Sequence, residues 1–385
     1  MSKAGWALPC LLVALLLVTS SNQAAGNAAM KMERAASSLL LDIAVAGSRL
    51  VAVGERGHIL YSEDEGETWI QSDVPTSVML TRVFFISPSL GWAVGHDGNV
   101  VVSSDGGISW SLQRDGVAAQ AGINRDRALR AEKNLAGLRD RLDSGEEIDR
   151  QALALALEEA EYQLDEAELN LAEPVFPPPL MDVWFLDEHW GWISGAYGTL
   201  LHTANGGRDW QDWSHKVGDP DQLHFNGVVG AADGSLYLAS EWGTIFRSST
   251  DGKSWEAIDS GYEGSFFGLV ENPRTESLFA YGLRGTVYRS TDKGLHWSEL
   301  HSGVTASLFG ASAVDDGRLM FVGAGGMVTV TEDDGESFTQ LPQAIRRGVY
   351  GIAPITGGNY VLSGEGGLRM LNYPARPIPG GEAHQ

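Results

Sequence analysis

A repeat in seven copies, four short apolar runs in most copies and paired glycines at a fixed position predict an all-β, seven-bladed β-propeller. Each copy follows the pattern Gly-x-x-Gly, a β-rich run, and then Ser/Thr-x-Asp-x-Gly-x-x-Trp. The period is about 41 residues, and one interval holds roughly 59 additional residues. A propeller blade contains four strands in about this length, so seven copies can close a ring.

The chain begins with the features of a secretory signal peptide. Lys3 precedes an unbroken apolar run over residues 7–18, and small residues follow. The run is shorter than the roughly 20 residues that span a bilayer. We predict cleavage between residues 20 and 29 and export to the periplasm or an equivalent compartment. Cys10 lies inside the run, so we expect a mature protein without cysteine or a direct lipid anchor.

Composition divides the rest of the chain into a propeller and an insertion. We predict blades 1 and 2 in residues 30–112, a helical hairpin in residues 113–176, blades 3 to 7 in residues 177–373 and a C-terminal tail in residues 374–385. The seventh copy starts at Gly364 and has no Asp box, and its blade should lack the last strand because Pro374, Pro377 and Pro379 follow closely. Residues 30–36 are the candidate for supplying that strand.

The Ser/Thr-x-Asp-x-Gly-x-x-Trp motif is an Asp box, and it predicts a tight turn between the third and fourth strands of a blade. An Asp or Asn side chain can accept hydrogen bonds from its own turn, and glycine supplies a positive φ. The aromatic residue can bury its face between neighbouring blades. One carboxylate per turn is too few for calcium, so we expect a structural role. The predicted pairs are Asp64 and Trp69, Asp105 and Trp110, Asn205 and Trp210, Asp251 and Trp255 in a copy one residue shorter, Asp292 and Trp297, and Asp333 and Phe338.

The insertion has the apolar pattern of two paired helices. Its apolar residues recur at alternating steps of three and four over residues 121–142 and again over residues 153–171. The first helix is mostly basic and the second mostly acidic, which favours an antiparallel hairpin. The hairpin either packs on the rim as a decoration or is an arm that contacts a partner. An acidic second helix suits a basic partner surface.

Strand order places the Gly-x-x-Gly turns and the insertion on one face of the propeller. These turns join the second and third strands of each blade, and the insertion follows an outer strand and precedes an inner one. Arg, Tyr and Trp are common anchors in protein interfaces. The predicted partner-binding face consists of Glu55, Arg56, His96, Asp97, Tyr197, Glu241, Trp242, Arg284, Arg346, Arg347 and Glu365.

Charge and spacing exclude several classes of ligand. A formal net charge of −23 repels nucleic acid phosphates and anionic membrane surfaces, so we expect no nucleic acid partner. The histidines lack metal-ligand spacing, and the glycine turns are too short for phosphate loops. We therefore expect no metal and no cofactor, and the sequence leaves the oligomeric state open.

The repeat resembles that of the photosystem II stability and assembly factor family of exported propellers. The best matching turns are Gly-Glu-Arg-Gly beginning at Gly54 and Gly-Leu-Arg-Gly beginning at Gly282. The resemblance implies a non-enzymatic factor that holds a membrane-protein precursor through an arginine-lined face, to which Arg56 and Arg284 correspond by motif. Relatives in non-photosynthetic bacteria are similar to accessory proteins of membrane complexes such as RND-type exporters.

Asp boxes are also typical of sialidases, so a glycoside hydrolase is the alternative function. Such an enzyme uses an arginine triad, a Tyr nucleophile assisted by a Glu, and an acid/base Asp. The candidates for these roles are Arg56, Arg284, Arg346 or Arg347 together with Tyr197, Glu241 and Asp97. The first strand lacks the Arg-Ile-Pro signature of sialidases, so we expect that the protein is not an enzyme.

Overall fold

The computed structural model describes residues 28–144, 149–342 and 346–373. The predicted signal peptide, except for its last residues, and the C-terminal tail lie outside these residues. The described chain forms seven antiparallel sheets and two helices. Six sheets have four strands and one has three, so the number of sheets agrees with the predicted seven blades.

Each sheet is one blade, numbered in chain order, and its strands follow one another from the centre of the ring outwards. Blade 1 contains β1 (Leu40–Ala46), β2 (Arg49–Gly54), β3 (Ile59–Ser62) and β4 (Ile70–Gln71); blade 2 contains β5 (Leu80–Phe85), β6 (Gly91–Gly95), β7 (Val100–Ser103) and β8 (Ser111–Arg114). Blade 3 contains β9 (Leu180–Phe185), β10 (Gly191–Gly195), β11 (Leu200–Thr203) and β12 (Gln211–Asp212); blade 4 contains β13 (Gly227–Gly230), β14 (Leu236–Ala239), β15 (Thr244–Ser248) and β16 (Glu256–Asp259). Blade 5 contains β17 (Phe266–Glu271), β18 (Leu278–Gly282), β19 (Val287–Ser290) and β20 (Ser298–Leu300); blade 6 contains β21 (Leu308–Ala313), β22 (Leu319–Gly323), β23 (Val328–Thr331) and β24 (Thr339–Gln340). Blade 7 contains β25 (Val349–Pro354), β26 (Tyr360–Gly364) and β27 (Arg369–Leu371).

Buried apolar side chains join each blade to the next. Val51 of blade 1, for example, packs in one cluster with Val83 of blade 2. Leu40 of blade 1 shares a further cluster with Ala353 and Val361 of blade 7. The first and last blades are therefore in contact through buried side chains, each of which stabilises the fold by roughly 1.5–3 kcal/mol when fully buried.

Blade 7 has three strands among the described residues, in agreement with the prediction that it lacks the last one. The expectation that residues 30–36 add the fourth strand is wrong. This segment instead lies beside blade 1, where Met32 N donates to Gln71 Oε1 at 2.8 Å. It ends in a short 3-10 turn at Ala35–Ser37, and Leu368 N donates to Ala36 O at 3.0 Å. The segment is poor in β-branched and aromatic residues, so it has little tendency to form a strand.

The turns at the predicted Asp-box positions repeat one hydrogen-bond pattern. In blade 1, Ser62 Oγ donates to Asp64 Oδ1 at 2.7 Å, and Gly66 N donates to Ser62 Oγ at 2.8 Å. Thr68 N also donates to Asp64 Oδ1, at 2.9 Å, so the carboxylate bonds both ends of the turn. Equivalent bonds involve Asp105, Asn205, Asp292 and Asp333.

The fourth turn corrects the predicted alignment. Asp251 has φ +53°, like Glu65 in blade 1, and it is not the residue that bonds the turn. That role belongs to Thr250, whose Oγ1 accepts a 3.0 Å hydrogen bond from Ser254 N. The fourth copy is therefore of normal length, and a threonine hydroxyl replaces the Asp carboxylate. A hydroxyl can take this place because it also accepts a hydrogen bond from a backbone N–H.

The aromatic residue of each turn packs against the preceding blade. The indole of Trp110 is buried in the cluster shared by blades 1 and 2, and Trp69 packs in the cluster shared by blades 7 and 1. The indole N–H donates to the glycine carbonyl of its own turn in blades 1, 2, 4 and 5. The turns therefore contribute to the contacts between blades.

The insertion forms two long helices, α1 (Gly116–Asp143) and α2 (Arg150–Ala172). An aspartate precedes each helix and caps it. The Asp115 side chain accepts from Ala118 N, and the Asp149 side chain accepts from Ala152 N. No helix among the described residues has the length and apolar character that crossing a membrane requires.

The two helices run antiparallel, because early residues of α1 contact late residues of α2. Asn124 Nδ2 donates to Asn170 O at 3.0 Å, and the Arg139 guanidinium lies 2.8 Å from Glu161 Oε1. Small side chains between the helices allow them to approach closely. The contact cluster contains Ala128, Ala131, Leu164 and Ala167.

Candidate functional site

The Gly-x-x-Gly turns hold equivalent residues in a left-handed backbone conformation. The third position of the turn is Arg56, Asp97, Tyr197, Trp242 and Arg284 in blades 1 to 5, with φ between +52° and +60°. The glycine that follows packs tightly, since a Cβ at Gly57 would lie 2.0 Å from Thr76 O and one at Gly285 would lie 2.2 Å from Val304 O. Close packing therefore requires glycine at this position. The side chains that vary between blades are those at the two middle positions of the turn.

Three predicted site residues come together on blades 3 and 4 with two further rings. Tyr197 and Trp242 are 50% and 63% exposed, and Phe176, at the end of the insertion, is 64% exposed. The Phe176 and Tyr197 ring centroids are 6.3 Å apart, and those of Tyr197 and His224 are 4.8 Å apart. His224 Nδ1 lies 3.3 Å from Glu241 Oε2, which connects the rings to the turn of Trp242. We call these five residues the aromatic ridge.

The hairpin docks beside the aromatic ridge through ion pairs. Arg127 Nε and an Arg130 guanidinium nitrogen lie 2.9 and 3.0 Å from Asp212 Oδ2 on blade 3. Burial alone would raise the pKa of Asp212, but its hydrogen bonds with Arg127 and Ser214 and the charge of Arg127 outweigh burial and lower the pKa to about 2. The ion pairs therefore persist throughout the physiological pH range.

A groove of about 760 Å³ separates the hairpin from the rim of the propeller. Asn124, Arg127 and Arg130 of α1 line one side together with Glu159, Gln163 and Glu166 of α2, and Tyr197, Asp212, His215, Asp219 and Gln222 line the other. Gln222 Nε2 donates to Glu166 Oε1 at 3.3 Å across the groove. The hairpin therefore packs on the rim at blade 3 and at the crossing that leads to blade 4. A contact between the hairpin and a partner stays a prediction.

The remaining predicted site residues are spread around the rim. The guanidinium groups of Arg56, Arg284, Arg346 and Arg347 are exposed, and none of them forms an ion pair with a described carboxylate. Glu55 and Glu365 accept backbone hydrogen bonds from Leu39 and Gly348, and Glu365 also accepts from Tyr350 Oη at 3.3 Å. His96 and Asp97 lie in the turn beside the start of α1, where a Cβ at Gly116 would lie 1.8 Å from Asp97 O.

Sequence reasoning missed a charged cluster at the centre of the ring. Arg82 on β5 lies 3.4 Å from Asp42 of β1 and 2.9 Å from Asp182 of β9. Each aspartate also accepts a backbone N–H from the next blade, Val83 N at 2.9 Å for Asp42 and Val228 N at 3.0 Å for Asp182. Burial raises the pKa of both carboxyls, and the Arg82 charge opposes that rise. The cluster therefore ties the innermost strands of blades 1 to 4.

The opposite half of the ring centre has no such charges. The third residue of the innermost strand is Gly268, Gly310 and Gly351 in blades 5 to 7, at the position of Asp42, Arg82 and Asp182 in blades 1 to 3. The residue before each glycine is aromatic, with Phe267 and Phe309 rings 5.6 Å apart and Phe309 and Tyr350 rings 5.1 Å apart. The sequence signal for this cluster was the contrast at one position of the repeat. Blades 1 to 3 have Asp, Arg and Asp there, whereas blades 5 to 7 have a glycine that follows an aromatic residue.

Tyr197 and Glu241, two of the residues assigned to glycosidase catalysis, contact different groups. Tyr197 contacts the rings of Phe176 and His224, whereas Glu241 accepts from His224 N at 3.0 Å. No hydrogen bond joins Tyr197 to Glu241 in the part of the chain that the structure describes. Across that same part, no group of His, Cys, Asp and Glu side chains is arranged to hold a metal ion.

Comparison with known proteins supports the predicted resemblance. The family model described as photosynthesis system II assembly factor YCF48 matches residues 160–341. The chain resembles the Ycf48 assembly factor family. A photosystem II assembly lipoprotein Ycf48 from Synechococcus sp. (strain CC9902) is 31% identical over 67 residues, which are 17% of this chain and 20% of that protein. The uncharacterized protein YkuO from Bacillus subtilis (strain 168) is 33% identical over 73 residues, 19% of this chain and 24% of YkuO. These matches span about a quarter of those proteins or less.

Solved structures with the Ycf48 name share the fold over most of the chain. A structure described as YCF48 bound to D1 peptide has a TM-score of 0.60 at 15% identity and covers 88% of this chain and 94% of its own. YCF48 from Cyanidioschyzon merolae has a TM-score of 0.58 at 15% identity, with coverages of 87% and 96%. The WD40 β-propeller domain of Doa1 has a TM-score of 0.55 at 12% identity, with coverages of 87% and 93%. At these identities the likeness shows a propeller fold.

Proposed function

We propose that this protein is a non-enzymatic binding or assembly factor for a membrane protein or membrane-protein complex. The observation that carries the proposal is the aromatic ridge, in which the exposed rings of Phe176 and Tyr197 are in contact and His224 and Glu241 lead to the exposed Trp242 in the turn of blade 4. Soluble proteins expose few contiguous apolar patches, and such patches are typical of protein interfaces. Tyr and Trp are also the residue types that dominate binding energy in interfaces.

The comparisons support the class of partner. A Ycf48 protein of the same fold is described as bound to a D1 peptide, and the family name refers to photosystem II assembly. For this chain we propose a membrane-protein client, either a photosystem subunit or, in a non-photosynthetic bacterium, a complex such as an RND-type exporter. The exposed guanidinium groups of Arg56 and Arg284 fit carboxylate groups on that client.

The place of action follows from the proposed client. We propose that the protein is exported by its signal peptide and meets the client in the periplasm or an equivalent compartment. The seven blades, six of which have a turn at an Asp-box position, then form a rigid platform, and the hairpin extends that platform beyond blade 3. The Gly-x-x-Gly face, with its arginines and the aromatic ridge, is the binding face.

Affinity capture tests the proposed function. The mature protein is immobilised and exposed to detergent-solubilised envelope, beside a variant in which a short linker replaces residues 113–176. We expect mass spectrometry to identify one membrane protein or complex that the full form enriches and the deletion variant loses. Recovery of no specific membrane protein by the full form would contradict the proposed function, whereas equal recovery by both forms would remove the hairpin from the binding site.

A further inference from the structure

The outer face of α2 carries a line of exposed apolar side chains. Leu155, Tyr162 and Leu169 are 62%, 65% and 57% exposed. They are separated by seven residues, which is about two helical turns, so they lie in one row along the helix. We call these three residues the α2 stripe. Large apolar groups in a row on a helix are costly to leave in water, and a partner that covers them removes that cost.

The α2 stripe is separate from the contact between the two helices. Leu153, Ala160 and Ala167 also follow one another at seven residues, and they are buried against α1. The stripe is displaced from this buried row by two residues, which corresponds to about 200° around a helix. It therefore lies on the side of α2 that faces away from α1, and the internal packing of the hairpin does not need it.

Carboxylates surround the α2 stripe. The residues three and four positions after Leu155 and Tyr162 are acidic. The residues immediately before Tyr162 and Leu169 are acidic as well. The six carboxylates are Glu158, Glu159, Glu161, Asp165, Glu166 and Glu168. The one ion pair that they make with a described cation joins Glu161 to Arg139. In a helix pair these positions lie beside the apolar row and select a partner of opposite charge.

We propose that the outer face of α2 binds a basic amphipathic helix of the partner, an inference that rests on the proposed function and names the part of the client that the hairpin holds. The complementary helix has apolar residues that cover Leu155, Tyr162 and Leu169, and Lys or Arg on both flanks. The Tyr162 ring also offers a face to an arginine or lysine of that helix.

Charge favours a basic helix over two other possible partners of this face, which are a second copy of this chain and an anionic lipid surface. A second copy of this chain would bring a second acidic α2 to the same face, and the full chain has a net charge of −23. Of the basic residues of α1 in a second copy, Arg127, Arg130 and Arg139 are already engaged by Asp212 and Glu161. An anionic lipid surface is repelled by the same carboxylates. A basic helix gains from both the apolar row and its flanks.

A direct binding measurement tests the α2 stripe. Two synthetic peptides of about 21 residues carry the same leucine heptads, one with Lys and Arg on the flanks and one with Glu. Fluorescence anisotropy measures their binding to the mature full chain and to a triple variant with Leu155→Gln, Tyr162→Gln and Leu169→Gln. The control variant is Leu129→Gln, which changes a residue of α1 that is 62% exposed.

We expect the basic peptide to bind the full chain and the Leu129→Gln variant equally, and to lose roughly tenfold or more in affinity for the triple variant. Glu158→Gln with Asp165→Gln should also weaken binding and reduce its dependence on salt. Because the changed residues are exposed, circular dichroism should show unaltered helix content. Equal binding of both peptides, or undiminished binding by the triple variant, overturns the inference.

The capture experiment separates this inference from the proposed function. If the triple variant still captures the membrane protein that the full form captures, the α2 stripe is not the contact and the proposed function stands. If neither form captures a membrane protein, the proposed function fails. A concentration-dependent dimer that the triple variant abolishes would assign the face to a second copy, and binding of anionic vesicles would assign it to a lipid surface; both outcomes overturn the inference.

Discussion

Single residues of this propeller have roles that their chemical type alone does not reveal. His202 is 3% exposed, and both of its ring nitrogens lack a hydrogen-bond partner among the described residues. Its ring stacks on Trp213 at a centroid distance of 3.6 Å. Burial, with the nearby positive charges of Lys216 and Lys253, lowers the pKa of His202 from 6.5 to about 4. The neutral imidazole is therefore part of the core.

Replacing His202 should change how stability depends on pH. Because the folded-state pKa lies below the ordinary value, the unfolded chain takes up a proton first as the pH falls from 6.5 to about 4. Stability is lost in that window by up to about 1.4 kcal/mol per pH unit. His202→Phe keeps an aromatic ring on Trp213 and removes the titrating imidazole. Urea denaturation should therefore show a smaller loss of unfolding free energy between pH 6.5 and about 4. His301→Phe, at an exposed position, is the control. An unaltered pH dependence in His202→Phe would refute the assignment.

The rim arginines should matter for binding and not for folding. Arg56 and Arg284 are exposed and make no ion pair with a described carboxylate, and alanine has the same Cβ in the left-handed conformation. We expect Arg56→Ala with Arg284→Ala to weaken partner capture several-fold and to change Tm little. Arg208→Ala, beside the Asp box of blade 3, is the control. Full capture by the double variant would remove the arginines from the binding face.

At the scale of the element, the turns show which parts of the fold the sequence could predict. The spacing of glycines and Asp boxes predicted the strand order and the turn positions. The apolar steps and the opposite charges of the insertion predicted the antiparallel helices. Each of these features depends on local chemistry. The fourth Asp box was misaligned, because an Asp at position 251 hides the fact that Thr250 bonds the turn. The path of residues 30–36 was also missed, because contacts with distant strands determine it.

Two aspartates at turns in different blades give a matched test of that correction. Asp64 accepts hydrogen bonds from Ser62 and Thr68. These bonds, with that from the Thr68 side chain contributing most, lower the pKa of Asp64 to about 2. We expect Asp64→Ala to lower the melting temperature, because the turn donors lose their acceptor. Asp251→Ala should be nearly neutral, and Thr250→Ala should be destabilising. Differential scanning calorimetry compares the three, and an equal loss in Asp64→Ala and Asp251→Ala would contradict the corrected alignment.

The candidate site could be predicted only in part, and the reason is again the range of the contacts. The repeat fixed which positions form the rim, so Tyr197, Glu241 and Trp242 were found. Phe176 joins them because the chain returns from α2 beside blade 3, which no local pattern encodes. The α2 stripe was hidden because a second apolar row within a helix cannot be told from the buried row before the packing is known.

On the scale of the whole molecule, the ring is tied at its centre by Arg82. This guanidinium lies between carboxylates from the blades on either side, and all three groups are largely removed from solvent. Breaking a buried pair by removing one partner typically costs about 3–5 kcal/mol, because the other charge stays buried and unpaired. The Arg82 cluster therefore contributes to the cohesion of blades 1 to 3 as a unit.

Removing this charge should produce a defect that acid partly relieves. Arg82→Met leaves Asp42 and Asp182, whose pKa values burial already raises, without their cation. We expect a loss of about 3–5 kcal/mol near neutral pH, and a smaller difference from the wild type as the pH falls and the carboxyls become protonated. Guanidinium denaturation at about pH 8 and about pH 5 measures the difference. A loss that is the same at both pH values would mean that the carboxylates are not held by Arg82.

A ring of seven similar blades would, by itself, offer a partner seven equivalent rotational settings. The side chains at the turn tips remove that degeneracy, since Trp242, Tyr197 and the docked hairpin occur at one place on the circumference. The centre is divided in the same sense, with charges on blades 1 to 3 and glycines on blades 5 to 7. A partner that contacts the rim and the hairpin together can bind in only one orientation, so the broken symmetry of the ring determines the geometry of any complex that it forms.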